Sequence, residues 1–273
     1  SHFDAQEVLE NGTSKAGGRD DGWLNRALQV VDGAHGVAIG AQVPLVLRGP
    51  HAVQVLNPKR TASAHRSLFD DVAALYESDP ELDAALHSGL DSLELLPERS
   101  KTARGMEDLV VRAVANAAAR GPSVVAMGVG GWDTHVGQGT VRGGLANRLQ
   151  GLAAGLVRLR DDLGPAWKST VVIVTTEFGR RVAANGTGGS DHGTGSAGFL
   201  LGGAVRGGQV LADWPGLAAR DLVRSRDLRP TMDVRSVFKG VLHHHMRIAG
   251  ADLEGSVFPG SAKVGVLDGL IRG

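Results

Sequence analysis

Three features of this sequence predict an α/β fold with a mostly parallel central sheet. Two short apolar runs, Ser123–Val129 (SVVAMGV) and Thr170–Thr176 (TVVIVTT), read as strands buried on both faces. Between them lies Gly143–Leu163, with leucine at 145, 149, 152, 156, 159 and 163, the spacing of one helix face. Strand, crossover helix and strand form the unit from which parallel sheets are built. Composition agrees with a globular chain: 273 residues are 42% hydrophobic and 21% charged, which argues against disorder, collagen and coiled coil. No composition shift marks a linker, so residues 1–273 read as one domain.

The remaining elements follow in chain order. The first residues are polar and turn-rich, with Gly17–Gly22 as a loop. Trp23, Leu24, Ala27, Leu28 and Val31 share a face and predict a short helix over Trp23–Val31. Residues 37–48 alternate apolar and small side chains around Pro44, as two short strands or one broken strand. Ala64–Tyr76, Pro80–Leu90 and Gly105–Arg120 carry apolar residues at helical spacing between charged faces. A further strand is expected at Ala197–Leu201, reached through a glycine-rich loop, and a closing helix at Asp233–Met246.

Charge and residue usage remove several function classes. Lys plus Arg and Asp plus Glu both total 29, so net charge gives no case for nucleic acid as the partner. With no cysteine there is no disulfide, thiolate metal site or cysteine nucleophile. No apolar run reaches the roughly 18 residues of a membrane span.

Ligands of parallel sheets bind beyond the carboxyl ends of the strands, and three polar clusters fall there. They are Gly130–His135 (GGWDTH), Glu177–Arg180 (EFGR) and Ser190–Thr194 (SDHGT). Asp133, His135, Glu177, Asp191 and His192 offer hard oxygen and borderline nitrogen donors, the set that zinc, manganese or iron prefers. Three carboxylates and two neutral imidazoles balance one divalent ion comfortably, whereas two ions want one more acidic ligand.

The same clusters resemble a bacterial family catalogued as domain of unknown function 1501, itself similar to the alkaline phosphatase superfamily with its sulfatases and cofactor-independent phosphoglycerate mutases. Ser1-His2-Phe3, Gly22–Arg26 (GWLNR), Thr231–Arg235 (TMDVR) and Val257–Gly260 (VFPG) extend the resemblance over nearly the whole chain. It implies a three-layer, alkaline-phosphatase-like sandwich with one or two divalent ions at the strand ends, zinc first, manganese or calcium as alternatives. By position it implies Asp133, His135, Glu177 and His192 as ligands, and Asp191 as a ligand or as a partner that orients His192. Glu177 stands where relatives have Asp. The superfamily's first strand, ending in an Asp ligand and followed by the nucleophile, would precede Ser1, as would a twin-arginine export signal. The sequence is therefore expected to lack both. An upstream fragment or a neighbouring chain would complete the sheet, and an exported location is implied.

Other patterns carry less. Gly193–Gly198 fits G-x-G-x-x-G but precedes a strand, so a dinucleotide site is discounted. Ser196 lacks the flanking glycines of a nucleophile elbow. His243-His244-His245 points in three directions on a helix and reads as a solvated edge. Arg180 is the local candidate for holding an ester's non-bridging oxygens, His2 is a reserve ligand, and no residue is assigned as nucleophile. The expected function is metal-dependent hydrolysis of small phosphate or sulfate esters. The alternative is a non-catalytic exported binding or structural protein with a vestigial metal site.

Overall fold

The computed structural model describes residues 1–57, 72–76, 78–95, 114 and 123–273. The helix expected over 105–120 lies outside these residues apart from Val114, and so does most of the one expected over 64–76. The fold is mixed α/β. In chain order the helices are α1 (His2–Asn11), α2 (Trp23–Gln29), α3 (Pro80–Leu95), α4 (Gly144–Leu163) and α5 (Val234–His244). The strands are β1 (His35–Ile39), β2 (Val53–Leu56), β3 (Ser123–Met127), β4 (Val172–Val174), β5 (Gly179–Arg180), β6 (His192–Gly193) and β7 (Phe199–Leu201). Among the described residues no helix is long and apolar enough to cross a membrane.

Helix α1 falls in the stretch read as polar and turn-rich. Its apolar face is weak, because only Asn11 is buried, and its ends are fixed by capping instead. The Ser1 side chain accepts a hydrogen bond from the Asp4 N–H, and Gly12, in the left-handed conformation at φ 71°, donates to the Val8 carbonyl. A second correction concerns 37–48. One strand does form, at His35–Ile39, but Leu45–Leu47 is a 3₁₀ turn entered from Pro44, and the next strand starts only at Val53.

The sheet is parallel only in part. β1 lies between β2 and β3 in a three-stranded parallel sheet, with Val37 in register with Gln54 and Val125. β4 pairs antiparallel with β7, and β5 with β6. The expectation that β3, α4 and β4 build one continuous parallel sheet is therefore corrected: among the described residues β3 and β4 are not hydrogen-bonded to each other, and each has one open edge. The chain leaving β4 turns through Gly179, whose backbone packs on Gly195, and β7 comes back along β4.

Helix α2 joins these pieces. Its Leu28 packs with Ala34, Ala38 and Leu47 on one face of the parallel sheet, while Val37, Ile39 and Leu56 line the other face. Its Trp23 stacks on Phe238 of α5 at 4.6 Å and leans on Phe258 at 5.3 Å, in a core that Ile173 of β4 also touches. Arg26 is buried beside them. It donates to the carbonyls of Val257 (3.0 and 2.8 Å) and Asn11 (2.6 Å) and pairs with Asp21 at 2.8 Å. A buried guanidinium needs such partners, and these tie the end of α1 to α2 and to the C-terminal segment. The Trp23 indole N–H donates to the Leu9 carbonyl, a second tie on α1. Helix α1 is thus held at its C-terminal end, with His2 at the other.

Candidate metal centre

Asp133 and His135 stand on the loop that leaves β3. Three contacts pin that loop to the segment 185–190: the Asn185 side-chain amide and the Thr187 hydroxyl both donate to the His135 carbonyl, at 2.9 and 2.8 Å, and the Ser190 N–H donates to Thr134. Gly189 makes this possible, since a Cβ there would collide with the His135 carbonyl. His192 arrives on β6, in register with Arg180 on β5. Glu177 follows β4, and His2 opens α1. The loops after β3 and β4, strand β6 and one helix start therefore converge.

Their atoms meet closely. Asp133 Oδ1 lies 2.9 Å from His192 Nε2 and 2.9 Å from His135 Nε2, and those two nitrogens are 3.0 Å apart. Asp133 Oδ2 lies 3.2 Å from His2 Nε2. His2 Nδ1 in turn is 2.7 Å from Glu177 Oε1. The Phe178 ring covers this group, 4.7 Å from the His2 ring and 4.5 Å from that of His192. His2, Asp133 and His192 each offer one ligand atom within 4.8 Å of the others. Around Asp133, His135 and His192 form a second, overlapping triad.

Arg180 belongs to the support of this group. Its Nη2 donates to Asp133 Oδ1 at 2.5 Å and to the Trp132 carbonyl at 3.0 Å, and Nη1 donates to the Ser190 carbonyl at 2.7 Å. Asp191 sits one layer out. It accepts from Asn185 at 3.0 Å, pairs with Arg181 at 3.1 Å, and lies 3.7 Å from His135 Nδ1, so the ring it faces is that of His135. Glu177 reaches the centre through His2. Of the residues the sequence marks, Asp133, His135 and His192 share one point, Arg180 touches Asp133, Glu177 reaches that point only by way of His2, and Asp191 stands behind. His2, a reserve ligand by sequence, is central here. Its only sequence signal is its place in the Ser-His-Phe segment, because the ring reaches Asp133 across more than a hundred residues of chain.

The charge states follow from these contacts. Burial pushes the Asp133 carboxyl up, but hydrogen bonds from His192, His2 and Arg180 outweigh it and hold the group well below the usual carboxylate range. The bond to Glu177 raises the His2 imidazole above its ordinary value, against desolvation and with help from Asp133. Burial raises Glu177, yet backbone and His2 hydrogen bonds leave it lowered overall. Asp191 is lowered by Asn185 first, with Arg181 adding to the effect. Three nitrogens crowd Asp133 Oδ1, one more than a single carboxylate oxygen has lone pairs. The His2, Asp133 and His192 donor atoms could hold a divalent cation, and the donor set suits one.

The other histidine-rich motif goes elsewhere. His243 Nδ1 lies 2.8 Å from the Ile248 carbonyl, His244 Nε2 2.7 Å from Asp268, and burial lowers His245. The glycine-rich run after His192 leads into β7, as a loop before a strand.

No curated protein and no solved structure matches the chain. A model of proteins of unknown function, DUF1501, matches residues 1–258. Spanning nearly all of the sequence, that match makes the chain a member of the DUF1501 family.

Proposed function

We propose that this protein is a metal-dependent hydrolase of phosphate or sulfate esters, with the alkaline-phosphatase-like architecture that the resemblance of its sequence motifs implies. The observation that carries the reading is the convergence of the His2, His135 and His192 nitrogens on the two oxygens of Asp133. His2, Asp133, His135 and His192 would hold one or two divalent ions, zinc first. When bound, such an ion supplies Lewis acidity toward the ester oxygens.

The chain's own residues have separable tasks. Asp133 stays ionised through the physiological range and offers both oxygens to the centre. Arg180 fixes its orientation while tying the loop after β3 to Ser190. With a metal bound, donation from His2 Nδ1 to Glu177 would leave Nε2 as the ligating atom, the arrangement by which an outer carboxylate tunes an imidazole ligand. Asp191 does the same for His135 from its Nδ1 side, at longer range. Phe178 keeps water from one side of the imidazoles, which strengthens every charge interaction there.

Elemental analysis and turnover of nitrophenyl phosphate and nitrophenyl sulfate test this on the full chain. About one or two equivalents of zinc are expected in the wild type, with ester turnover abolished together with metal content in His192→Ala. Metal retained without turnover of either ester would favour the non-catalytic binding protein. An absence of bound zinc, manganese and calcium would overturn the hydrolase reading.

A further inference from the structure

Arg180 has most of its donors engaged by Asp133, Trp132 and Ser190, so the site's best-placed guanidinium is committed to the protein. Arg148, in the second turn of α4, is different. It lies over Gly131, two residues before Asp133: a Cβ on Gly131 would fall 2.7 Å from Arg148 Cζ and 2.9 Å from its Nη2. Gly131 also has φ +90°, so glycine is required there twice, for the backbone and for the guanidinium seated on it. Among the described residues the Arg148 side chain makes no hydrogen bond, and neither do the backbone N–H groups of Val129, Gly130, Gly131 and Trp132. Val129, Gly130 and Gly131 are exposed, and nothing stands within 4 Å of a Cβ built on Gly130.

A run of free N–H groups beside an unpaired guanidinium offers donors and positive charge that suit an anion. We propose that Arg148 and the Val129–Trp132 loop bind the non-bridging oxygens of a tetrahedral oxyanion, the phosphoryl or sulfuryl group of the ester. The inference rests on the hydrolase reading and gives it its anion-binding half. Asp133 directly follows this segment and belongs to the metal group, so the two halves adjoin in the chain. The guanidinium neutralises the anion's charge, and the glycines keep the loop bare enough for close approach.

Isothermal titration of the full chain with inorganic phosphate, and separately with sulfate, tests this with and without zinc. Wild type is expected to bind at least one of the two, and the stronger arm identifies the ester class. Arg148→Gln should weaken that binding roughly 10- to 100-fold, the size of one lost charge-assisted contact, while zinc content stays unchanged. Arg148→Lys should recover part of the loss. In nitrophenyl ester turnover the same variant should raise KM more than it lowers kcat. Arg142→Gln, an exposed arginine in the loop before α4, should leave anion binding unaltered. Anion binding that survives Arg148→Gln, or that falls equally in Arg142→Gln, would overturn the assignment. So would a wild type that binds neither anion. A protein that lacks zinc but loses anion binding in Arg148→Gln would keep this inference and remove the metal reading.

Discussion

Helices α4 and α5 are both amphipathic, yet they sit in opposite circumstances. α5 has 11 residues and buries Phe238, Lys239, Gly240, Val241 and Leu242. α4 has 20 residues and buries only Leu163, while Leu149 is 44% exposed despite lying on the leucine stripe. α5 starts at a side-chain cap, Asp233, whereas α4 starts at Gly143 without one. Trp23 and Ala27 of α2 and Phe258 pack with α5, and the site loops lie beside α4. Burial is thus concentrated where α2 and α5 meet, and the strand-end chemistry is mounted on the more open part. Function at loops on a separately stabilised scaffold is a common division.

That division can be broken by substitution. Phe238→Ala removes a ring stacked on Trp23 in this aromatic core and should cost about 3–5 kcal/mol, read as a large fall in Tm or in the denaturant midpoint. A loss under about 1 kcal/mol would mean that this core does not hold the molecule together. Asp233→Ala deletes the cap of α5 and should cost about 1 kcal/mol at neutral pH. The effect should depend on pH in a definite direction. Hydrogen bonding to Arg235 lowers the Asp233 carboxyl below its ordinary value, so its ionised form contributes fully above about pH 4. That contribution is lost as pH falls through the lower folded-state value, and the wild type and variant should converge in acid. A gap that widens in acid would contradict the pairing with Arg235. The smallest effect is expected from Leu152→Ala on the half-buried face of α4, about 1 kcal/mol or less. A cost of 3 kcal/mol or more would show that the stripe is covered as tightly as α5 and would erase the contrast.

The two helices also show where reading a sequence stops. Leucine spacing located α4 to within one residue, and the apolar spacing of Val234–Leu242 located α5, because helical periodicity is a local property of the chain. What covers each face is a long-range matter, and the leucine stripe of α4 is only partly covered. Helix α1 shows the reverse. Its caps were present as Ser1, Asp4 and Gly12, but a helix with one buried residue has little apolar pattern to read.

Within the site, residue types and their place after strands were enough to mark Asp133, His135, Glu177, Arg180, Asp191 and His192. Each follows a run of β-branched residues or lies in a glycine-rich loop, and those signals are local. Their division of labour was decided by the tertiary structure. Donors on separate loops acquire mutual distances only when Gly189 lets two loops touch and β5 pairs with β6. Hence Arg180 turned toward Asp133, Asp191 toward His135, and His2, held at the free end of α1, between Glu177 and Asp133. The sequence by itself determined which donor side chains follow the strands and where the strongly periodic helices α4 and α5 run. The meeting of His2 with residues 131 and 175 positions away was left to tertiary packing, because no periodicity of a chain encodes the closure of such long loops.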